Sequence, residues 1–487
     1  MIDHALSRRS LLKTTACGFG YLAFAGLSTW ASEKSNLRSA RRPHFPPKAR
    51  RVIFLCMEGA PSHVDTFDYK PKLASLDGKS MPRARTFARL LASPWKFHQH
   101  GQSGLWTSEL FPELAKQTDE LCLLRGMHTD VPAHPQAFLQ MHTGVFQFKR
   151  PSLGAWALYG LGSDNENLPG FVTIGPPLQN GGPANYGSAF LPAVYQGTPI
   201  RSGFGRFGGG GGGGASASPT VSNIRNANQS SDTQRTQLDF IQSLNHSALE
   251  RDPHHEGIEG AIGSFELAFR MQKDMPKLMD LTHETEATKA LYGIGEQATE
   301  NFGRQCLLAR RFVEAGVRFV ELTSGGWDHH TNLKTALANK AQSVDKPIAG
   351  LLTDLKVRGL LQDTLVLWGG EFGRTPYAQG RDGRDHNHRG FTTWMAGGGV
   401  RGGYSHGNTD DYGYEAIEGK VHIHDWHATI LHLLGLEHTK LTYRYAGRDM
   451  RLTDVKGEVV KDIIGQLPQH SERFSASTFR TVEDYSS

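Results

Sequence analysis

Val52-Ile53-Phe54-Leu55-Cys56-Met57 is an unbroken apolar run that stops at Glu58-Gly59. A strand that is apolar at every position has no face to offer water, so it belongs inside a sheet covered on both sides. The pattern recurs at Leu121–Leu124. Val317–Leu322 follows a helix-like stretch over 285–316, and Thr364–Trp368 follows another over 333–356. Phe391–Ala396 is the next strand, and Asp425–Leu434 reads as a helix closed by Gly435. Strand and helix alternate. That predicts an α/β fold, a mostly parallel central sheet with helices on both faces.

The other segments are placed around this core. Ser7-Arg8-Arg9-Ser10-Leu11-Leu12-Lys13, then a mild apolar run from Ala16 to Leu27, reads as a twin-arginine export signal over residues 1–32. The run holds about a dozen apolar or small residues, short of the roughly 20 that cross a bilayer. A periplasmic or extracellular protein is expected, with no integral membrane span in the mature chain. Residues 33–50 read as a tether, and 51–199 as the first part of the α/β domain. Residues 200–235 form a Gly-rich flexible insertion, 236–316 a helical insert, 317–452 the second part of the domain, and 453–487 a peripheral segment.

Composition narrows the partners. The glycine run Gly208–Gly214 has no Lys and Ser/Thr at the offsets a phosphate-binding loop needs. Lys+Arg 53 against Asp+Glu 48 gives a net charge of +5, with no basic block beyond the leader, so nucleic acid is not an expected partner. Four cysteines (Cys17, Cys56, Cys122 and Cys306) are too few for a disulfide scaffold or a Cys-based zinc site. The last three read as buried thiols, with one pairing left open. Oligomeric state leaves no mark on the sequence.

Open α/β sheets bind ligands beyond the carboxyl ends of their strands. Polar clusters fall at those places here. Glu58-Gly59 follows the first strand, and Asp130 and His134 follow the Leu121 strand. Asp328-His329-His330 follows the Val317 strand, and Glu371-Phe372-Gly373-Arg374 the Thr364 strand. Asp385-His386-Asn387-His388-Arg389 precedes the Phe391 strand. Imidazole and carboxylate together suit zinc, iron or manganese, with calcium as a further alternative. Asp328 with His330, and Asp385 with His386, are the leading ligand pairs. Glu371 pairs with a metal or with Arg374. Arg374 and Arg389 are either ion-pair residues or a bidentate clamp for an anionic substrate. His427 reads as a packed or exposed helix residue and not a ligand.

At these residues a family resemblance emerges. Met57-Glu58-Gly59-Ala60-Pro61-Ser62, Arg150-Pro151-Ser152-Leu153-Gly154-Ala155-Trp156, Gly325-Gly326-Trp327-Asp328, Glu371-Phe372-Gly373-Arg374-Thr375-Pro376 and Gly383-Arg384-Asp385-His386 resemble the exported, sulfatase-like family called domain of unknown function 1501. That family looks like a remote branch of the alkaline phosphatase and sulfatase superfamily. The resemblance implies an alkaline phosphatase-like sheet with metal at the strand ends. It implies a divalent metal, zinc first, held by Glu58, Asp328, His330, Glu371, Asp385 and His386. With His134 aligned, it puts Asp130 at the nucleophile position, where Thr, Ser or Cys is expected, and Thr129 one place away. Phe372 stands where the superfamily has His, and the Cys-x-Pro-x-Arg maturation signal of sulfatases is absent.

Two functions follow as expectations. One is an exported metal-dependent hydrolase of sulfate or phosphate esters, acting on a small anionic or sulfated-glycan substrate. Its catalytic residues are Asp130, Thr129, His134, Arg374 and Arg389, with Asp130 as nucleophile or general base. The other is a non-catalytic exported binding protein that keeps the fold and a structural metal.

Overall fold

The structure is a computed structural model that describes residues 37–81, 88–201, 220–221, 229–252 and 256–465. The leader, the glycine run and the end of the chain beyond 465 lie outside the described residues. The strands that matter are β1 (Arg51–Met57), β2 (Leu121–His128), β3 (Phe171–Ile174), β4 (Thr198–Arg201), β5 (Thr220–Val221), β6 (Phe319–Ser324), β7 (Thr364–Gly369), β8 (Gly373–Gln379), β9 (Gly383–Asn387), β10 (Phe391–Gly397), β11 (Tyr404–His406) and β12 (Val421–His422). The main helices are α1 (His134–Thr143), α2 (Leu153–Leu161), α3 (Ser231–Arg251), α4 (Glu256–Met279), α5 (Glu300–Glu314), α6 (Leu333–Val357) and α7 (Ile423–Leu433).

Ten strands form one sheet in the order β11-β2-β10-β7-β1-β6-β3-β4-β5, with β12 also pairing β2. The apolar strands are central, as their composition requires. β1 pairs in parallel with both β6 and β7. Alternate residues of β1 feed two cores. Ile53, Leu55 and Met57 pack with Val320, Leu322, Val366 and Trp368 under α5 and α6. Val52, Phe54 and Cys56 pack with Phe319, Leu365 and Leu367 under α1, α2 and α7. Cys56, Cys122 and Cys306 are free and buried.

β10 runs antiparallel to both of its neighbours, β2 and β7. This orientation matters for function. The amino end of β10 lies at the same sheet edge as the carboxyl ends of β1, β2, β6 and β7. The segment 385–389 therefore joins the clusters that follow those strands. Between β7 and β10 the chain makes an extra hairpin, β8–β9, in which Arg374 sits opposite His386.

The helical stretch expected over 285–316 is broken. A short helix, Glu286–Leu291, precedes α5, and Gly293 and Gly295 between them have φ of 68° and 101°. α5 packs into the main core through Phe302, Cys306, Leu307 and Phe312. α3 and α4 pack together, with Leu267, Met271 and Met275 reaching that core. Of the stretch 33–50, read as a tether, the described residues 37–50 hydrogen-bond to the domain at several points. The Arg38 guanidinium donates to the Leu168 carbonyl at 2.6 Å, and the Lys48 and Ala49 amides donate to Leu433 O at 2.9 Å. Among the described residues no helix is long and apolar enough to cross a membrane.

Candidate metal centre

Four side chains from two sheet-edge segments and the β8–β9 hairpin meet at one point. His134 is the first residue of α1, just after β2. Asp328 and His330 lie in the loop between β6 and α6, and His386 is on β9. One ligand atom from each lies within 4.8 Å of all the others. Asp328 Oδ1 is the hub, 3.2 Å from His134 Nε2, 2.8 Å from His330 Nε2 and 3.4 Å from His386 Nε2.

The outer nitrogens explain the aim of the rings. His134 Nδ1 donates to Glu371 Oε1 at 2.5 Å. His386 Nδ1 donates to the Pro132 carbonyl at 2.7 Å, and His330 Nδ1 donates to Gln379 Oε1. Each partner is an acceptor oxygen, so each neutral ring carries its proton on Nδ1 and presents a bare Nε2 lone pair inward. Two such nitrogens, on His330 and His386, are 2.9 Å apart. His134 Nε2 is buried without a hydrogen-bond partner, since its approach to Asp328 is close but off the line of a hydrogen bond. Facing lone pairs repel, and a proton or a cation between them removes the repulsion.

The charges fit this arrangement. Burial works against ionisation of Asp328, but the His134 and His386 rings close to it and the Arg374 guanidinium outweigh it, holding the carboxyl far below the usual range. Burial likewise disfavours a charged His134, yet Asp328 and Glu371 overcome it and raise its pKa to about 9.

Other residues named from the sequence take supporting or separate places. Glu371 is fully buried, accepts from His134, and is also bound by the Gly59 amide at 3.1 Å. Arg374 is 1% exposed. It donates to the carbonyls of Ala60 and Gly59 and, at 2.6 Å, to Asp328 Oδ1. Its fork braces Asp328 and has no face open to a substrate. Glu58 lies beside the group, where Asn180 Nδ2 donates to its Oε1 at 2.7 Å, and burial raises its pKa. Asp385 turns back to accept the His386 amide at 2.8 Å. Arg389 is exposed and lies over the Tyr414 ring. Asp130 and Thr129 form a separate network with Gln140 and His422. His427 is buried, with Nε2 donating to Met141 O at 2.7 Å.

Gly59 lets two of these loops touch. Its φ is 105°, and a Cβ there would lie 2.7 Å from the Asp328 amide nitrogen. Gly59→Ala combines a backbone strain of about 1–3 kcal/mol with a clash against the loop that carries Asp328. A lowered melting midpoint is the expected result, read by calorimetry on the two proteins.

Residues 49–464 match the family model described as "Protein of unknown function (DUF1501)". The chain belongs to this family. No curated protein matches it. Similar solved structures include the PsFucS1 sulfatase from Pseudoalteromonas sp., with 11% identity, 86% of this chain and 72% of that chain covered, and a TM-score of 0.33. The lipoteichoic acid synthase LtaP from Listeria monocytogenes has 10% identity, with 87% of this chain and 80% of that chain covered and a TM-score of 0.34. The alkaline phosphatase from the Antarctic bacterium TAB5 has 10% identity, with 81% of this chain and 99% of that chain covered and a TM-score of 0.30.

The DUF1501 span contains the donor group and every residue that braces it. Several of those braces escaped the sequence reading: Gln379, the Pro132 carbonyl and the Gly59 amide. Gln379 sits in no His/Asp/Glu cluster, and the other two are main-chain atoms. In this DUF1501 chain Phe372 lies against both His134 and His386, with ring centroids 4.8 Å away in each case. An aromatic wall thus closes one side of the group.

Proposed function

We propose that this chain is an exported metal-dependent hydrolase of phosphate or sulfate esters. The observation that carries the reading is the inward aim of three Nε2 lone pairs at one carboxylate oxygen, each fixed by an acceptor on its far nitrogen. That is the way proteins orient histidines around a metal. His134, His330, His386 and Asp328 would hold the ion. Three imidazoles and one carboxylate suit zinc, with iron or manganese next, whereas calcium favours an all-oxygen set. When bound, a divalent cation supplies Lewis acidity toward an ester oxygen.

The chain's own groups have distinct tasks in this reading. Arg374 balances the Asp328 charge, and Glu371 strengthens His134 as a donor. Thr129 is buried, and its hydroxyl donates to Gln140 Oε1 at 2.9 Å, so it is poorly placed to attack. Asp130 keeps an accessible carboxylate and is the better proton acceptor. Chain geometry holds its Cα within roughly 8 Å of Pro132 Cα, whose carbonyl binds His386. Asp130 takes a proton from the attacking water as the P–O or S–O ester bond breaks, and the leaving alcohol oxygen takes one from solvent. Arg389, exposed beside this loop, is the cation left to meet a phosphate or sulfate group on a small anionic or glycan substrate.

The test is turnover of p-nitrophenyl phosphate and p-nitrophenyl sulfate by the zinc-loaded chain, with Asp130→Asn as control. Hydrolysis reduced about 10²–10⁴-fold by the substitution is expected. Tight zinc binding with no turnover on any ester contradicts the hydrolase and supports a binding protein with a structural metal, the role that the aromatic Phe372 wall would suit.

Zinc uptake is expected to depend on pH. Below about 9 His134 carries a proton, which a cation at Nε2 must displace. Apparent zinc affinity should fall about tenfold per pH unit as the pH drops below that value, with proton release seen in unbuffered titration. In the metal-free chain the linkage runs the other way. The raised pKa contributes stability that is full below the free imidazole value of 6.5 and is lost as pH rises through about 9.

A further inference from the structure

Two helices from opposite ends of the sequence converge on Asp130. Gln140, one turn from the end of α1, donates through Nε2 to Asp130 Oδ2. Its Oε1 accepts the Thr129 hydroxyl at 2.9 Å and the Asp130 amide at 3.4 Å. His422 is the N-cap of α7, and its Nε2 is 3.2 Å from Asp130 Oδ1.

The cap decides the tautomer of His422. Its Nδ1 accepts the His424 amide at 3.3 Å, so Nδ1 is bare and the proton sits on Nε2. His422 is therefore a fixed donor toward Asp130, the reverse of the three histidines of the donor group. The ring is held in turn, since the His422 amide donates to Asp425 Oδ2 at 2.9 Å, closing a capping box. The carboxylate of Asp130 thus receives one donor on each oxygen and keeps its remaining lone pairs for a third partner.

We propose that His422 and Gln140 are positioning residues that hold Asp130 as the base of the hydrolysis. The inference rests on the hydrolase reading above. The groups around Asp130 agree with it. His422, His388, His128, His424 and Lys456 face it from α7, the loop before β10, β2 and the segment after α7. Burial pushes the Asp130 carboxyl up, but the bonds from Gln140 and His422 outweigh it and leave its pKa lowered. His422 has its own pKa lowered to about 4 by burial, so it stays a neutral donor at neutral pH. A base that remains ionised and fixed in orientation is the consequence.

The test uses the full-length zinc-loaded chain and p-nitrophenyl phosphate. His422→Asn keeps a good N-cap residue and removes the donor that reaches Asp130. Gln140→Met removes the other donor without touching the α7 cap, so it covers a folding failure of the first variant. Each should lower kcat about tenfold with KM and zinc content unchanged. Each should also move the acid limb of the kcat profile upward, because Asp130 loses a bond to its charged form. Added to Asp130→Asn, neither should have a further effect. If Asp130→Asn slows turnover but both variants keep the wild-type kcat and acid limb, the positioning role is overturned and the hydrolase stands. If zinc-loaded wild type turns over no ester, the hydrolase reading fails and takes this role with it.

Discussion

His386→Ala is expected to cost the chain its tightly bound divalent cation, from about one zinc per chain to near none after dialysis against a weak chelator. His386 supplies one of the four converging donors, and the other β8–β9 residues at the site, Arg374 and Gln379, only brace Asp328 and His330. Removing it leaves three donors, and the Pro132 carbonyl loses its partner. Ester turnover should fall with the metal. The fold should hold, because His386 is partly exposed at the sheet edge and takes no part in the main core. Unchanged circular dichroism with lost zinc is the expected pair of readings. A second, milder case sharpens the point. Glu371→Gln keeps the shape but weakens the acceptor behind His134, and a loss of about 10–100-fold in zinc affinity is expected.

Asp65→Asn is expected to destabilise the protein by about 3–5 kcal/mol, the range for breaking a buried ion pair. Asp65 and Arg384 are both fully buried. Arg384 Nε and Nη2 grip the two carboxylate oxygens at 2.6 and 3.0 Å, a bidentate pair. Ser62 Oγ adds a third bond to Asp65 at 2.5 Å. Removing the carboxylate strands a guanidinium that has no route to water. The damage should also reach the donor group. Arg384 ties the loop after β1 to the hairpin that carries Arg374 and His386, so its release loosens both. Urea denaturation gives the stability change, and zinc titration gives the coupled loss of affinity. Replacing both partners with apolar residues of similar volume should recover much of the stability.

How much of this was legible in the sequence depends on what kind of atom carries each feature. β1, β7 and the Leu121–Leu124 part of β2 were readable because a strand buried on both faces is mostly apolar, whereas β6, which buries Glu321, Thr323 and Ser324, was readable from its place after a helix-like stretch. The direction of β10 was not, since Phe391–Ala396 has the same composition read either way. The β8–β9 hairpin was missed for a related reason: Gly373-Arg374-Thr375-Pro376-Tyr377-Ala378-Gln379 has neither alternation nor an apolar run. The donor residues Asp328, His330 and His386 stood out because they cluster at strand boundaries. Glu58 stood out too, but its side chain is held by Asn180, while the Gly59 amide and carbonyl beside it bind Glu371 and Arg374. The braces were silent. A lone Gln, a backbone carbonyl and an amide leave no pattern. His422 did leave one. Asp425 read as the start of the last helix, whereas the helix begins at Ile423 and Asp425 is the N3 residue that completes a box with His422. An acidic residue three places after a polar one, ahead of an apolar run, was the signal that could have found it.

The most direct measurement of the central claim is X-ray absorption at the zinc edge of the purified, zinc-loaded chain. Three imidazole nitrogens and a carboxylate oxygen from His134, His330, His386 and Asp328 predict a shell of nitrogen and oxygen near 2.0–2.1 Å with imidazole outer scattering and no sulfur. A shell near 2.3 Å from thiolate, or a spectrum of hydrated zinc without imidazole, would contradict it.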